Sequence, residues 1–185
     1  GHTNGTFRID GEKIEKISDV NGGFEIKKMT RGNEEYLIQS TYSTLVIYKK
    51  DYNTWTFSNN IRGFIEPVIH FEIDHLGNLW AQHLNLGLYM IKINPEMDSA
   101  ITVKHFEKKH GLDSERNILV AKIANRVVFG TGKQLYTYDD LNDSILPYVQ
   151  LNQKLGKFKG AQRIIQVRDT LYWFIQDQVA ALFKI

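Results

Sequence analysis

At 185 residues the chain is long enough for one substantial hydrophobic core and fits one to about two ordinary domains. With 42% apolar and 24% charged residues it has the balance of a folded globular protein, which excludes a disordered tail. A net charge of +2, with only isolated Lys49-Lys50 and Lys108-Lys109 pairs, argues against a nucleic-acid surface, and the absence of cysteine removes disulfides and thiolate metal sites.

The start, GHTNGT, is polar and lacks the apolar region of a signal peptide, and Gly1 and His2 read as a cloning remnant. No apolar run is long enough to span a bilayer, so this segment is expected to make no membrane contact. The run GTFRIDGEKIEKI then reads as two strands, with Gly5, Phe7 and Ile9 echoing Gly87, Tyr89 and Ile91. FEIKKM (24–29) is a third strand, YLIQSTYSTLVIY (36–48) a strand pair joined by a short polar loop, and TWTFS (54–58) closes the group.

The unit then recurs. VIHFEI (68–73) alternates apolar and polar residues, DHLGN turns the chain, LWAQHLNLGLYMI (79–91) overlays 36–48 without a gap, and TVKHF (102–106) follows. The third copy runs NILVAKI (117–123), VVFGTGKQLYTYD (127–139) with one loop residue deleted, and YVQL (148–151) as a fourth strand. The last is RIIQV (163–167) with LYWFIQDQVAALFKI (171–185). Successive strand pairs are offset by 43, 48 and 44 residues, which is the spacing of four-stranded antiparallel β-propeller blades. So small a meander cannot bury its own faces, so the copies must stack. Only Asn152–Lys157 or Glu107–His110 has room for a turn of helix. The expected fold is therefore an all-β propeller segment, with a partial blade at 5–19, blades at 23–63, 66–110 and 116–158, and a partial blade at 161–185. The chain stops on the apolar strand AALFKI, which reads as a segment of a longer protein.

At the turn of the second copy, Asp74 is placed to accept backbone N–H groups and Gly77 to adopt the left-handed conformation that closes the hairpin. Asn78 starts the next strand, and Trp80 is positioned to cover the neighbouring sheet. These four residues read as structural.

The same residues resemble the two-component regulator propeller repeat. Gly111-Leu112-Asp113-Ser114 precedes the strand from Ile118, Asp74 with Gly77-Asn78-Leu79-Trp80 and Gly87-Leu88-Tyr89 matches a second fragment, and Gly130-Thr131 with Leu135-Tyr136 a third. The resemblance covers 67–139 and blurs in the first and last copies; Gln82-His83 stands where the repeat has Gly-Thr, and Ala124-Asn125-Arg126 where it has its Asp-Gly-Asn turn. It implies the periplasmic sensing part of a hybrid two-component sensor or related regulator. The parent would be anchored in the inner membrane, with a histidine kinase or a DNA-binding output domain elsewhere in the chain. It further implies carbohydrate-derived ligands.

The residues themselves announce no catalysis. The six histidines lack metal-ligand spacing, and the pairs Asp139-Asp140, Glu34-Glu35 and Glu12/Glu15 fall at hairpin ends or on exposed strands. No metal, cofactor or catalytic residue is therefore assigned. The repeat-equivalent hairpins put Tyr42, Asn85 and Gln134 in loops and Gln82, His83 and Gln176 at strand ends, all expected on one rim where an oligosaccharide would bind. The expected partners are the remaining blades of the parent, a second copy of the chain, and that saccharide. A propeller lyase or hydrolase acting on polysaccharide, and a protein-interaction scaffold, are the alternatives.

Overall fold

The computed structural model describes residues 3–185, so Gly1 and His2 lie outside the described residues. The fold is all-β and its strand pairs are antiparallel. β1 (Thr6–Asp10) and β2 (Lys13–Ser18) form a two-stranded sheet. β3 (Ile26–Arg31), β4 (Glu34–Ser40), β5 (Leu45–Asp51) and β6 (Thr54–Asn60) form a four-stranded meander. β7 (Val68–Ile73), β8 (Leu79–His83), β9 (Leu88–Ile93) and β10 (Ala100–Phe106) form a second, and β11 (Leu119–Ile123), β12 (Arg126–Gly130), β13 (Leu135–Asp139) and β14 (Ser144–Pro147) a third. A helix, α1 (Val149–Leu155), and a 3-10 turn (Gly156–Gly160) lead to the three-stranded sheet β15 (Arg163–Arg168), β16 (Leu171–Gln176) and β17 (Val179–Lys184). The chain divides into two compact units, Gly1–Phe71 with Ile91–Val103, and Glu72–Met90 with Lys104–Ile185.

In the first unit, Leu45, Val46, Ile47 and Tyr48 are all fully buried, so β5 is covered on both faces. Tyr48 ends in a buried polar network: its hydroxyl bonds Gln39 Oε1 (2.6 Å), Thr6 Oγ1 (3.1 Å) and Ser18 Oγ (2.7 Å), pinning the N-terminal hairpin to β4 and β5. Glu25 makes a second tie. Burial pushes its carboxyl up, but His70 (3.7 Å), the Phe71 N–H (2.9 Å) and Lys27 (3.2 Å) outweigh that and hold it below the ordinary value of 4.5.

In the second unit the β11–β14 sheet lies between two cores. Val127, Phe129 and Tyr136 join Trp80, Leu88, Phe106 and Ile145 on one face. Val128 and Leu135, one residue out of phase, join Leu151, Leu155, Phe158, Tyr172 and Phe174 on the other. The alternation that predicts the strands thus sorts their side chains between successive layers.

YVQL (148–151) is not the fourth strand of its group. The turn after Asp139 brings Ser144–Pro147 back against β13, with Tyr138 opposite Ile145 and Tyr136 opposite Pro147. Pro147 is tolerated because β14 is an edge strand. The chain then enters α1, earlier than Asn152, and buries Leu151 and Leu155 one turn apart. Asn152 completes the sheet from within the helix, accepting from the Leu135 N–H and donating to the Leu135 carbonyl, both at 2.8 Å.

Candidate functional site

Consecutive turns of an antiparallel meander fall at opposite ends of its strands, so the second unit has two ends to compare. One carries the β7–β8, β11–β12 and β13–β14 turns, and the other the β8–β9, β12–β13 and β16–β17 loops.

The first end holds a cavity of about 250 Å³, lined by Asp74, His75, Trp80, Asn125, Arg126, Tyr138 and Asp140 among others. Its floor is built by Asp74. One carboxylate oxygen accepts from the N–H groups of Leu76 (2.9 Å) and Asn78 (2.8 Å), and the other from Asn78 Nδ2 and Trp80 Nε1, both at 2.9 Å. Gly77 sits at φ +81°, where a side chain would be strained. Trp80, 1% exposed, is held by that bond with its ring 4.7 Å from Tyr138 and 4.8 Å from Phe129. Burial and a hydrogen bond to Asp143 raise the Tyr138 phenol, while Lys104 and Tyr138 draw the Asp143 carboxyl down. At the mouth His75 lies 3.7 Å from Asp140, and the Arg126 guanidinium lies 5.8 Å from the Tyr148 ring. Asp74 thus spends both oxygens on the fold, leaving a mouth of mixed charge.

The second end carries five of the six candidate ligand residues. The loops there share one device. Thr41 Oγ1, in the first unit, accepts from the N–H groups of Ser43 and Thr44; in the β8–β9 loop His83 Nδ1 does the same for Asn85 and Leu86, both at 2.9 Å. His83 closes its loop with Gly87, as Thr41 does with Thr44 and Thr131 with Gln134. The hairpins therefore align His83 with Thr41 and Thr131, because the β8–β9 loop is one residue longer than the others. His83 is buried, and its Nδ1 is an acceptor, which places the proton on Nε2. Gln82 is half-buried and Asn85 exposed. Gln134 donates to the Tyr136 hydroxyl (2.8 Å), and Gln176 donates to Asp177 (3.5 Å) while its Oε1 is buried without a partner. Tyr42, in the first unit, is 61% exposed with its ring edge-on to Phe24 at 4.6 Å.

This end also carries a group that sequence reading missed. Between Ser144 and Val167 there are four cations and no carboxylate. Lys154, Lys157, Lys159 and Arg163 are exposed there, as is Lys133 in the β12–β13 loop. The loop and the 3-10 turn touch, since a Cβ on Gly160 would sit 2.4 Å from the Gly132 carbonyl oxygen and 3.2 Å from Gln176 Oε1. A running charge count would have found this stretch; a search for adjacent lysines does not.

One acid in each of two carboxylate pairs considered for catalysis is tied to its neighbours. Glu34 is held below the usual range by Lys49 and then Tyr36, and Asp139 by Asn142 and the Leu141 N–H. Among the described residues no group of three or more His, Asp or Glu is arranged to hold a metal ion. No described helix is long and apolar enough to cross a membrane.

No family model and no curated protein matches the sequence. Solved structures do match the fold. The extracellular domain of a proposed one-component system, BT4673 from B. thetaiotaomicron, aligns over 100% of this chain and 29% of its own length, with a TM-score of 0.61 at 14% identity. A second structure of that domain, described as a hybrid two-component system, gives 0.59 at 13%. The extracellular domain of the proposed hybrid two-component system BT3049, from the same organism, aligns over 98% of this chain and 26% of its own, with 0.61 at 16%. The chain thus spans less than a third of the domains it resembles, and at these identities the likeness establishes a shared fold, that of a segment of bacterial extracellular sensor domains.

Proposed function

We propose that this chain is a non-catalytic segment of a periplasmic sensor, built as successive β-propeller blades, that receives a carbohydrate-derived signal for a membrane-anchored two-component regulator. The observation that carries the reading is the match of the whole chain to extracellular domains of such systems. The proposed blades are 23–63, 66–110 and 116–158, with partial blades at 5–19 and 161–185. Their stacking is supported by the two cores on opposite faces of the β11–β14 sheet. Further sheets of the parent would cover the terminal ones, where Ile9 and Ile14 are 72% and 71% exposed and Ile165, Trp173 and Leu182 are exposed too. A second copy of the chain is the rival occupant.

The ligand face we assign in the second unit is the loop end, with Gln82, Asn85, Gln134 and Gln176 as its polar groups and His83 shaping the loop beneath them; in the first unit we assign Tyr42, in the equivalent loop of its own sheet. The test is calorimetric titration of the purified chain with a panel of oligosaccharides, with product analysis of each mixture. Saturable binding without turnover is expected. Cleavage of any glycan would overturn the non-catalytic reading. Failure to bind every saccharide, with a protein partner retained, would favour an interaction scaffold.

A further inference from the structure

The lysines of this protein differ in whether a carboxylate lies against them. Lys16, Lys27, Lys28, Lys49, Lys50, Lys104 and Lys109 each lie against a carboxylate. Lys133, Lys154, Lys157, Lys159 and Arg163 are exposed and, among the described residues, pair with none. Lys13, Lys92, Lys108 and Lys184 are likewise exposed and carry no ion pair among the described residues, but they sit on other elements, whereas these five are grouped. Four come from α1, the 3-10 turn and the start of β15, and the fifth from the loop that the 3-10 turn touches through Gly160 and Gly132.

Local structure keeps them outward. Leu151, Leu155 and Phe158 take the inward positions, so Lys154, Lys157 and Lys159 are left on the solvent side. The Lys157 ammonium lies 5.4 Å from the Phe158 ring. Asp177 is the carboxylate of the adjoining β16–β17 turn, and it is engaged by the amides of Gln162 (3.1 Å) and Gln176 (3.5 Å). Like charges gathered without counter-charges repel one another, and an anionic ligand relieves that repulsion.

We infer that this end of the second unit binds an acidic polysaccharide through Lys133, Lys154, Lys157, Lys159 and Arg163. The inference rests on the reading of the loop end as a saccharide face and deepens it by naming the charge of the sugar. Carboxylate or sulfate groups would meet the ammonium groups. Neighbouring amides suit the hydroxyls: Gln134 and Gln162 border the cations. This alternation of cations with amides fits a ligand carrying both anions and hydroxyls better than a phospholipid surface, which presents mainly charge.

The test is titration of the purified chain with a galacturonate oligomer, a sulfated heparin-type oligomer, a neutral oligosaccharide of equal length, single-stranded DNA, and vesicles containing anionic phospholipid. At least one acidic oligomer is expected to bind at least tenfold more tightly than the neutral one, with affinity falling as salt is raised. Substituting Lys154→Gln, Lys157→Gln and Lys159→Gln together should weaken that binding by about tenfold, three exposed ion pairs' worth, and flatten its salt dependence. Lys49→Gln, at a lysine already paired with Glu34, should leave it unchanged. Equal binding of acidic and neutral sugars would overturn this inference while leaving the proposed function standing. Binding of no saccharide would overturn both. Binding of DNA or vesicles without binding of saccharides would overturn the assigned partner, and full affinity in the triple variant would overturn the assigned site.

Discussion

Asp74 offers the sharpest test of how the second unit is held together. Its two oxygens accept from four donors, and the residues that supply the side-chain donors are buried, Asn78 at 8% exposure and Trp80 at 1%. Asp74→Ala strands those donors. A buried donor left without a partner costs about 1–3 kcal/mol, and two of them with the loss of the turn's backbone bonds should lower stability by about 3–5 kcal/mol. Asp74→Asn is the more informative change because it keeps the shape. Whichever way the amide turns, its NH₂ faces one pair of donors, so at least two bonds become donor–donor contacts and the loss should be about 2–3 kcal/mol. Urea unfolding followed by circular dichroism measures both, with an unchanged m-value showing that the denatured state is the same. Trp80→Phe removes one donor while preserving most of the ring, and its cycle with Asp74→Ala should return a coupling of about 1 kcal/mol. If Asp74→Asn unfolds within about 0.5 kcal/mol of wild type, hydrogen bonding to Asp74 does not hold the turn and the reasoning fails.

His83→Thr should be nearly neutral in stability because threonine supplies the same loop-closing acceptor at Thr41, whereas His83→Ala should cost about 1–2 kcal/mol by thermal unfolding. Gly160→Ala should destabilise by about 1–3 kcal/mol, since its methyl would meet the Gly132 carbonyl at 2.4 Å; Gly132→Ala meets nothing within 4 Å and should cost only about 1 kcal/mol for its φ of +82°. Glu25 has its folded pKa depressed below 4.5, so its stabilisation is fully present above that value and is lost as pH falls through the lower, folded one. Acid unfolding of Glu25→Gln should accordingly show a shallower loss of stability below pH 4.5 than wild type does.

The strands were legible because their side chains repeat every second residue: Val127 and Phe129 against Val128, Leu135 against Tyr136. That signal needs only burial on a pleated surface, and it survives where the repeat's own motif fades. α1 escaped because it is too short to show a helical period, and because Tyr148-Val149 carries the aromatic and β-branched residues of a strand. The role of Asn152 is tertiary, two bonds to a residue 17 positions away, and no local pattern encodes it. The loop register differs by one position from the apolar overlay for a related reason. An apolar overlay places His83 on Ser40, but the hydrogen bonds place it on Thr41, and a longer loop absorbs the difference. The cations between Ser144 and Val167 were hidden by their spacing, two to four residues apart among leucine, phenylalanine and glutamine.

These observations together separate what builds the fold from what remains for a ligand. At the turn end the polar groups serve the protein itself: Asp74 meets four donors, Asp139 meets the Leu141 and Asn142 N–H groups and the Asn142 amide, and the Tyr172 hydroxyl bridges the Ala124 N–H and the Asp169 carbonyl. A group so engaged would have to break the turn to bind anything else, and the cost worked out for Asp74 is of that kind. At the loop end the capping atom of His83 is likewise spent on closing its loop, but the residues around it are not. Five exposed cations there pair with no carboxylate, because the acid of the adjoining turn, Asp177, is held by the amides of Gln162 and Gln176. A fold optimised only for stability would gain by placing acids among those lysines, as it does along β4 and β5, where Glu34 and Glu35 meet Lys49 and Lys50. That these five cations carry no such partner is what points the search for a ligand there.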